Sequence, residues 1–196
     1  MEFKLGAYVS KIGSWLMPFS LFGLVGCIEP IDSSTDICLN VPTAQAVGIK
    51  KIYYGPFTNQ QAAQPQDTVS LEDFGFNLEL DLLAADIPSA NPIFSNSNQV
   101  ACQGIYTITN ISNISVILNE SFSGIPAGTD ISYLFITPEG QSIAQLRTFD
   151  RVSAYIGAKL NFRPANYSQL NTRTFLFLRD GTQVFLDSTS PFLKIR

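Results

Sequence analysis

Phe74-Gly75-Phe76-Asn77-Leu78-Glu79-Leu80-Asp81-Leu82 is the stretch that decides the fold of this chain. Its even-numbered members are large and apolar, and its odd-numbered members are polar or small. Successive side chains of a β-strand point to opposite faces, so this period of two predicts a strand buried on one side and wet on the other. A helix would set its apolar residues three and four apart instead.

Neighbouring segments extend the β reading in both directions. Ala46 to Tyr54 carries Val47, Ile49, Ile52, Tyr53 and Tyr54 and runs into the breaker Gly55-Pro56, which predicts a strand ending there. Ile105 to Ile108 and Ile114 to Leu118 read as short strands separated by Asn110 to Asn113. Near the C-terminus, Arg173 to Arg179 and Thr182 to Asp187 flank Asp180-Gly181, a dipeptide that suits a type I′ hairpin turn. Apolar residues on both faces of these two arms predict a strand pair buried on both sides. Pro191 to Ile195 supplies a last strand. Thr129 to Ile136 and Ser142 to Ile156 break the rhythm, because Phe149, Val152, Tyr155 and Ile156 form a stripe at helical spacing. A helical or irregular insertion is the expectation there, with an arched strand connection as the alternative. Short strands about ten residues apart, with 15 Phe and 7 Tyr to fill a core, favour a mainly β fold, an immunoglobulin-like β-sandwich. A half-open barrel is the competing architecture.

The N-terminal segment is of another kind. Lys4 and Lys11 precede a run from Ile12 to Gly26 whose only polar side chains are Ser14 and Ser20. This is the make-up of a secretory signal peptide spanning residues 1–26. The run is shorter than the roughly 20 apolar residues a spanning helix needs. It ends in Leu24-Val25-Gly26-Cys27, which resembles the lipobox of bacterial lipoproteins. That resemblance implies cleavage before Cys27, diacylation of its thiol and acylation of the new N-terminus. Acyl chains contribute about 0.8 kcal/mol per buried methylene, so two or three of them hold a protein stably to a membrane. Residues 27–45 lack any period and read as a flexible tether, which leaves 46–196 as the sandwich domain. Glu29 and Asp32 resemble a surface-export signal of Bacteroidota lipoproteins.

Charge and composition narrow the function classes. The 196 residues hold 12 basic and 16 acidic side chains, a net charge of −4. Removing Lys4, Lys11 and Glu2 with the signal peptide leaves 10 against 15, a net charge of −5. Nucleic acid binding requires clustered Lys and Arg, so no nucleic acid partner is expected. Membrane contact is expected through the lipid on Cys27 and not through surface charge. Histidine is absent, which removes Ser-His-Asp and Cys-His nucleophile pairs and most zinc sites. With Cys27 lipidated, Cys38 and Cys102 remain as one pair in an oxidising setting and are candidates for a disulfide. It would close a loop of about 65 residues, worth roughly 4 kcal/mol in the chain-entropy account.

Three further groups carry chemistry in principle. Glu72, Asp73, Glu79, Asp81 and Asp86 are the densest acids and could offer oxygen ligands to calcium, although no dense Asp-x-Asp-x-Asp-Gly loop accompanies them. Glu79 and Asp81 could serve as paired acids in glycoside hydrolysis, but both belong to the wet face of one strand and nothing marks a cleft. Tyr53, Tyr54 and Phe57, with Phe149, Tyr155 and Tyr167, could stack on sugar rings, although core filling explains most aromatics of a sandwich.

Cys27, the segment Ala127-Gly128-Thr129-Asp130-Ile131-Ser132-Tyr133-Leu134-Phe135 and the segment Leu178-Arg179-Asp180-Gly181-Thr182 together resemble uncharacterised Bacteroidota outer-membrane lipoproteins with a domain of unknown function. The resemblance implies a lipoprotein facing the cell surface or the periplasm and brings no catalytic residue. The expectation is a non-catalytic binding or scaffolding subunit of an envelope assembly, with an outer-membrane protein as partner and no cofactor. A surface glycan-binding protein is the alternative. In a non-reducing peptide map of the mature protein, Cys38 and Cys102 should appear cross-linked, and reduction should lower the melting temperature; free thiols at both positions would refute the pair.

Overall fold

Phe74, Phe76, Leu78 and Leu80 are all buried, while the alternate positions Gly75, Asn77, Glu79 and Asp81 are not. The computed structural model describes residues 41–58, 61–84 and 104–195. Cys27, Cys38, Cys102 and Asp86 lie outside the described residues, as do the segment 1–26 and residues 27–40 of the tether.

The described chain forms strands β1 (Thr43–Thr58), β2 (Gln61–Ala63), β3 (Thr68–Ser70), β4 (Gly75–Ala84), β5 (Ile105–Ile108), β6 (Ile111–Leu118), β7 (Phe135–Ile136), β8 (Phe149–Ser153), β9 (Tyr155–Leu160), β10 (Ser168–Leu178) and β11 (Gln183–Lys194). They make a seven-stranded sheet in the order β7-β9-β4-β1-β5-β8, with β2 added to β1, and a four-stranded sheet in the order β3-β11-β10-β6. Most pairs are antiparallel; β1–β5 and β11–β3 are parallel. The inward residues of both sheets form one core, so the mainly β, two-sheet reading holds. Tyr54, Phe74, Phe76 and Phe135 make a chain of ring contacts through it, 4.9 to 6.1 Å between centroids. Truncating such a ring to alanine costs about 3 to 5 kcal/mol. Burial raises the Tyr54 phenol above its ordinary range, and its hydroxyl meets Ser188 Oγ at 2.8 Å, joining the sheets by a polar contact.

Several local expectations are corrected. β1 does not stop at Gly55-Pro56 but continues to Thr58. Its pairing with β2 shifts register between Tyr54 and Phe57, so Pro56, which has no N–H to donate, falls where the ladder is already interrupted. Two further shifts, at Ala46/Gly48 and Ile49/Lys51, explain why the apolar residues of β1 do not alternate. The C-terminal segments are one strand, β11. Where its pairing with β10 shifts, the Leu170 N–H donates to Ser190 Oγ at 2.9 Å.

The stretch 129–156 contains no α-helix. It folds as two single 3₁₀ turns, Ser132–Leu134 and Ile143–Gln145, and the short strands β7 and β8. The stripe dissolves accordingly: Phe149 and Ile156 are buried on different strands, and Tyr155 is exposed. Residues 128–132 line the outer edge of β6 instead. Thr129 and Ile131 exchange main-chain hydrogen bonds with Leu118 and Val116, and the Val116 N–H donates to Ser132 Oγ at 2.7 Å. Asp130 holds that hydroxyl and accepts from Ser132 N–H and Ser115 Oγ, each at 2.9 Å. This segment closes a sheet edge that would otherwise present bare main-chain groups.

The β10–β11 turn is a hairpin, but not type I′. Gly181 has φ +90°, whereas Asp180 is not among the residues of positive φ. Gly181 N–H donates to Leu178 O and Leu178 N–H to Thr182 O, so the loop has three residues and ends on a glycine in the left-handed region. The Asp180 carboxylate accepts from the Thr182 N–H at 2.8 Å, an Asx turn that holds its pKa below the ordinary value. Nor is the hairpin buried on both sides. Leu170, Thr172, Thr174, Leu176 and Leu178 face the core, while Phe185 on the other face is 55 % exposed. In chemical denaturation, Gly181→Val should lower stability by about 1 to 3 kcal/mol through strain in the left-handed region.

Candidate functional site

Antiparallel pairing places directly opposed residues on the same face, so the register of β6, β10 and β11 shows what the small sheet presents to solvent. One row is Ile117–Arg173–Asp187, the next Ser115–Phe175–Phe185, the next Asn113–Phe177–Gln183. Phe175 lies 6.0 Å from Phe177 and 5.7 Å from Phe185, centroid to centroid. Arg173 sits over the Phe185 ring, its guanidinium carbon 4.5 Å from the centroid, and makes a bidentate pair with Asp187 at 2.7 and 2.8 Å. Asn119 reaches Asn171 and Asp187, and Arg147 reaches Asn113. The result is an apolar aromatic centre with a polar rim, the anatomy of a protein-binding surface.

Beside this patch the sheet is open. β3 pairs with β11 only over Phe192–Lys194, so among the described residues Gln183–Thr189 has β10 as its one paired neighbour. Since Leu178 bonds Thr182, the main-chain groups of residues 183, 185 and 187 point away from β10.

The large sheet carries a second surface. Tyr53 and Tyr155 project from β1 and β9 and meet above β4, 6.4 Å between centroids; Phe57 contacts Tyr53 edge-on at 5.4 Å. Between them lie Asn77, opposite Tyr53 and Gly157, and Glu79, opposite Lys51 and Tyr155. Lys50 Nζ donates to Glu79 Oε1 at 2.7 Å, which holds the ammonium above its ordinary pKa. The Tyr53 phenol is raised by partial burial first, then by Tyr155 and Glu79. A depression of about 360 Å³ adjoins Tyr155, lined among others by Lys50, Glu79, Asp81 and Tyr106.

Of the aromatics singled out in the sequence, Tyr53, Phe57 and Tyr155 thus come together, Tyr54 and Phe149 belong to the core, and Tyr167 is exposed elsewhere. Glu79 and Asp81 share the lining of the depression, but among the described residues the acids do not gather as a cation site. Asp73 accepts from Ser70 Oγ in the turn before β4, Glu79 is taken by Lys50, and among the described residues no three of His, Cys, Asp and Glu gather as a metal site. Phe175, Phe177 and Phe185 were legible only as core; their outward aim follows from the register. No protein-family profile, curated protein or solved structure matches this chain.

Hydrogen bonding from Arg173 lowers the Asp187 pKa below its ordinary 3.8. The pair therefore contributes stability above pH 3.8, which is lost as pH falls through that value towards the lowered one. Thermal melts across this acid range should show a shallower decline for Asp187→Asn than for the wild type.

Proposed function

We propose that this protein is a lipid-anchored, non-catalytic binding or scaffolding subunit of a bacterial envelope assembly, tethered to the outer membrane through Cys27. The observation that carries the reading is the Phe175–Phe177–Phe185 patch beside the one-sided β11 strand. Large aromatics at the centre and Arg, Asp and Asn at the rim suit a protein partner. The main-chain groups of residues 183, 185 and 187, without a partner among the described residues, suit an extended segment of that partner adding as a strand, with an apolar side chain over Phe185. The immunoglobulin-like form of the sandwich belongs to the same proposal, supported by two largely antiparallel sheets around one core. So does membership of the Bacteroidota lipoproteins, supported by the resemblance at Cys27 and in the segments 127–135 and 178–182.

The test uses the full chain in its native membrane. Wild-type protein should incorporate a fatty-acid probe and co-purify from solubilised membranes with a stoichiometric membrane protein. Cys27→Ser should lose the label and leave the membrane or persist as an uncleaved precursor. Phe185→Glu, a change at an exposed position, should keep the wild-type melting temperature and lose the partner. An unlabelled wild type refutes the anchor, and a partner retained by Phe185→Glu refutes the surface.

A further inference from the structure

The outer face of the large sheet carries a different chemistry from the phenylalanine patch, and its groups are of the kinds that recognise sugar. We infer that Tyr155, the Tyr53 ring in contact with it and the depression that Tyr155 lines bind a neutral saccharide. Tyr155 is 53 % exposed and Phe57 54 %, so their ring surfaces are available to a ligand and contribute little to the core. The face of an aromatic ring is electron-rich, and the C–H groups of a pyranose, polarised by adjacent oxygens, lie against it favourably.

The polar groups next to the rings match the rest of such a ligand. Asp81 and Glu79 are acceptors with two oxygens each, able to take a pair of neighbouring hydroxyls, and the Lys50 ammonium and the Tyr106 hydroxyl are donors. Glu79 is already oriented: it accepts from Lys50 at 2.7 Å and from the Tyr155 hydroxyl at 3.5 Å, and its side chain is only 13 % exposed. A sugar hydroxyl would therefore meet a carboxylate held in place, at small further cost in side-chain freedom. The volume, about 360 Å³, lies at the lower end of the range for small-molecule sites and suits one or two sugar units. Two carboxylates against one ammonium in the lining disfavour uronic and sialic acids, which is why a neutral ligand is inferred.

Gly157 stands opposite Asn77 on the strand that carries Tyr155, and a Cβ there would meet Asn77 Oδ1 at 3.4 Å, an ordinary van der Waals contact. With no side chain at 157, Asn77 is left uncovered on that side of the row.

The test is binding of the full-length protein to an array bearing neutral glycans (glucose-, galactose-, mannose- and N-acetylhexosamine-terminated) and acidic ones, followed by titration of the best binder by calorimetry. The inference expects neutral glycans to be retained. Tyr155→Ala and Asp81→Asn should each weaken binding tenfold or more with unchanged melting temperatures, and Tyr167→Ala, at an exposed tyrosine outside the site, should bind as the wild type. No retained glycan, retention of acidic glycans alone, or equal affinity of wild type, Tyr155→Ala and Asp81→Asn would overturn it. Loss of glycan binding and loss of the protein partner are separate readouts, because Phe185→Glu leaves the tyrosine face untouched.

Discussion

Two residues, Thr109 and Asn110, carry the chain from one sheet to the other, and the sandwich depends on how that crossing is held. β5 ends at Ile108 and β6 begins at Ile111, both buried, so the chain changes sheets with apolar anchors on either side. The Asn110 amide imitates a strand: its Nδ2 donates to Ala46 O and its Oδ1 accepts from Ala46 N–H, both at 2.8 Å. Its main-chain oxygen accepts from Arg179 N–H at 2.8 Å, at the mouth of the β10–β11 hairpin. One residue thus satisfies main-chain groups of β1 in the large sheet and of the hairpin in the small one. Buried main-chain groups left without partners cost about 1 to 3 kcal/mol each, so this corner is a point where packing and polar satisfaction must agree.

What could be read from the sequence followed from how local the determining physics is. The alternation of β4 needs only the pleat and one apolar core, and it appears as written. Asn110 to Asn113 reads as a loop because polar residues interrupt two apolar runs, yet Ser112 and Asn113 lie within β6 and Asn110 is the inter-sheet tie. Nothing in the residue types announces that an asparagine will bond a strand 64 positions earlier. The hairpin is similar: Asp180-Gly181 marks a tight turn, but a two-residue loop and a three-residue loop ending on glycine use the same dipeptide. The choice lies in the register of the arms, which the core sets. The stripe at 149–156 misleads because two short strands that meet at Ala154, β8 and the start of β9, reproduce helical spacing over a few residues.

The candidate surfaces show the same division. Tyr53, Phe57 and Tyr155 could be named only together with Tyr54, Phe149 and Tyr167, two of which are buried, and the three come together because β9 pairs with β4 and β4 with β1. For Phe175, Phe177 and Phe185 the pattern is silent on direction, since both faces of β10 and β11 carry apolar residues. The register decides, and it turns the phenylalanines outward.

That outcome runs against the usual economy of a sandwich. Inward from β10 and β11 point Thr172, Thr174 and Ser188, with Thr172 and Ser188 hydroxyls 3.2 Å apart and Ser188 bonded to Tyr54. Outward point three phenylalanines. Burying a phenylalanine fully is worth about 1.5 to 3 kcal/mol relative to leaving it exposed, and a buried hydroxyl gains little beyond satisfying itself. Shifting the register of both arms by one residue would place the rings inside and the hydroxyls outside. It would also turn Leu170, Leu176 and Leu178 out of the core and separate Ser188 from Tyr54. The leucines and the tyrosine therefore fix the register, and the aromatic face follows as its consequence. Arg173, spread over Phe185 and clasped by Asp187, covers part of that face in the free protein. An apolar occupant that replaced water over the uncovered rings would gain burial that the fold itself leaves unused, without disturbing the core beneath.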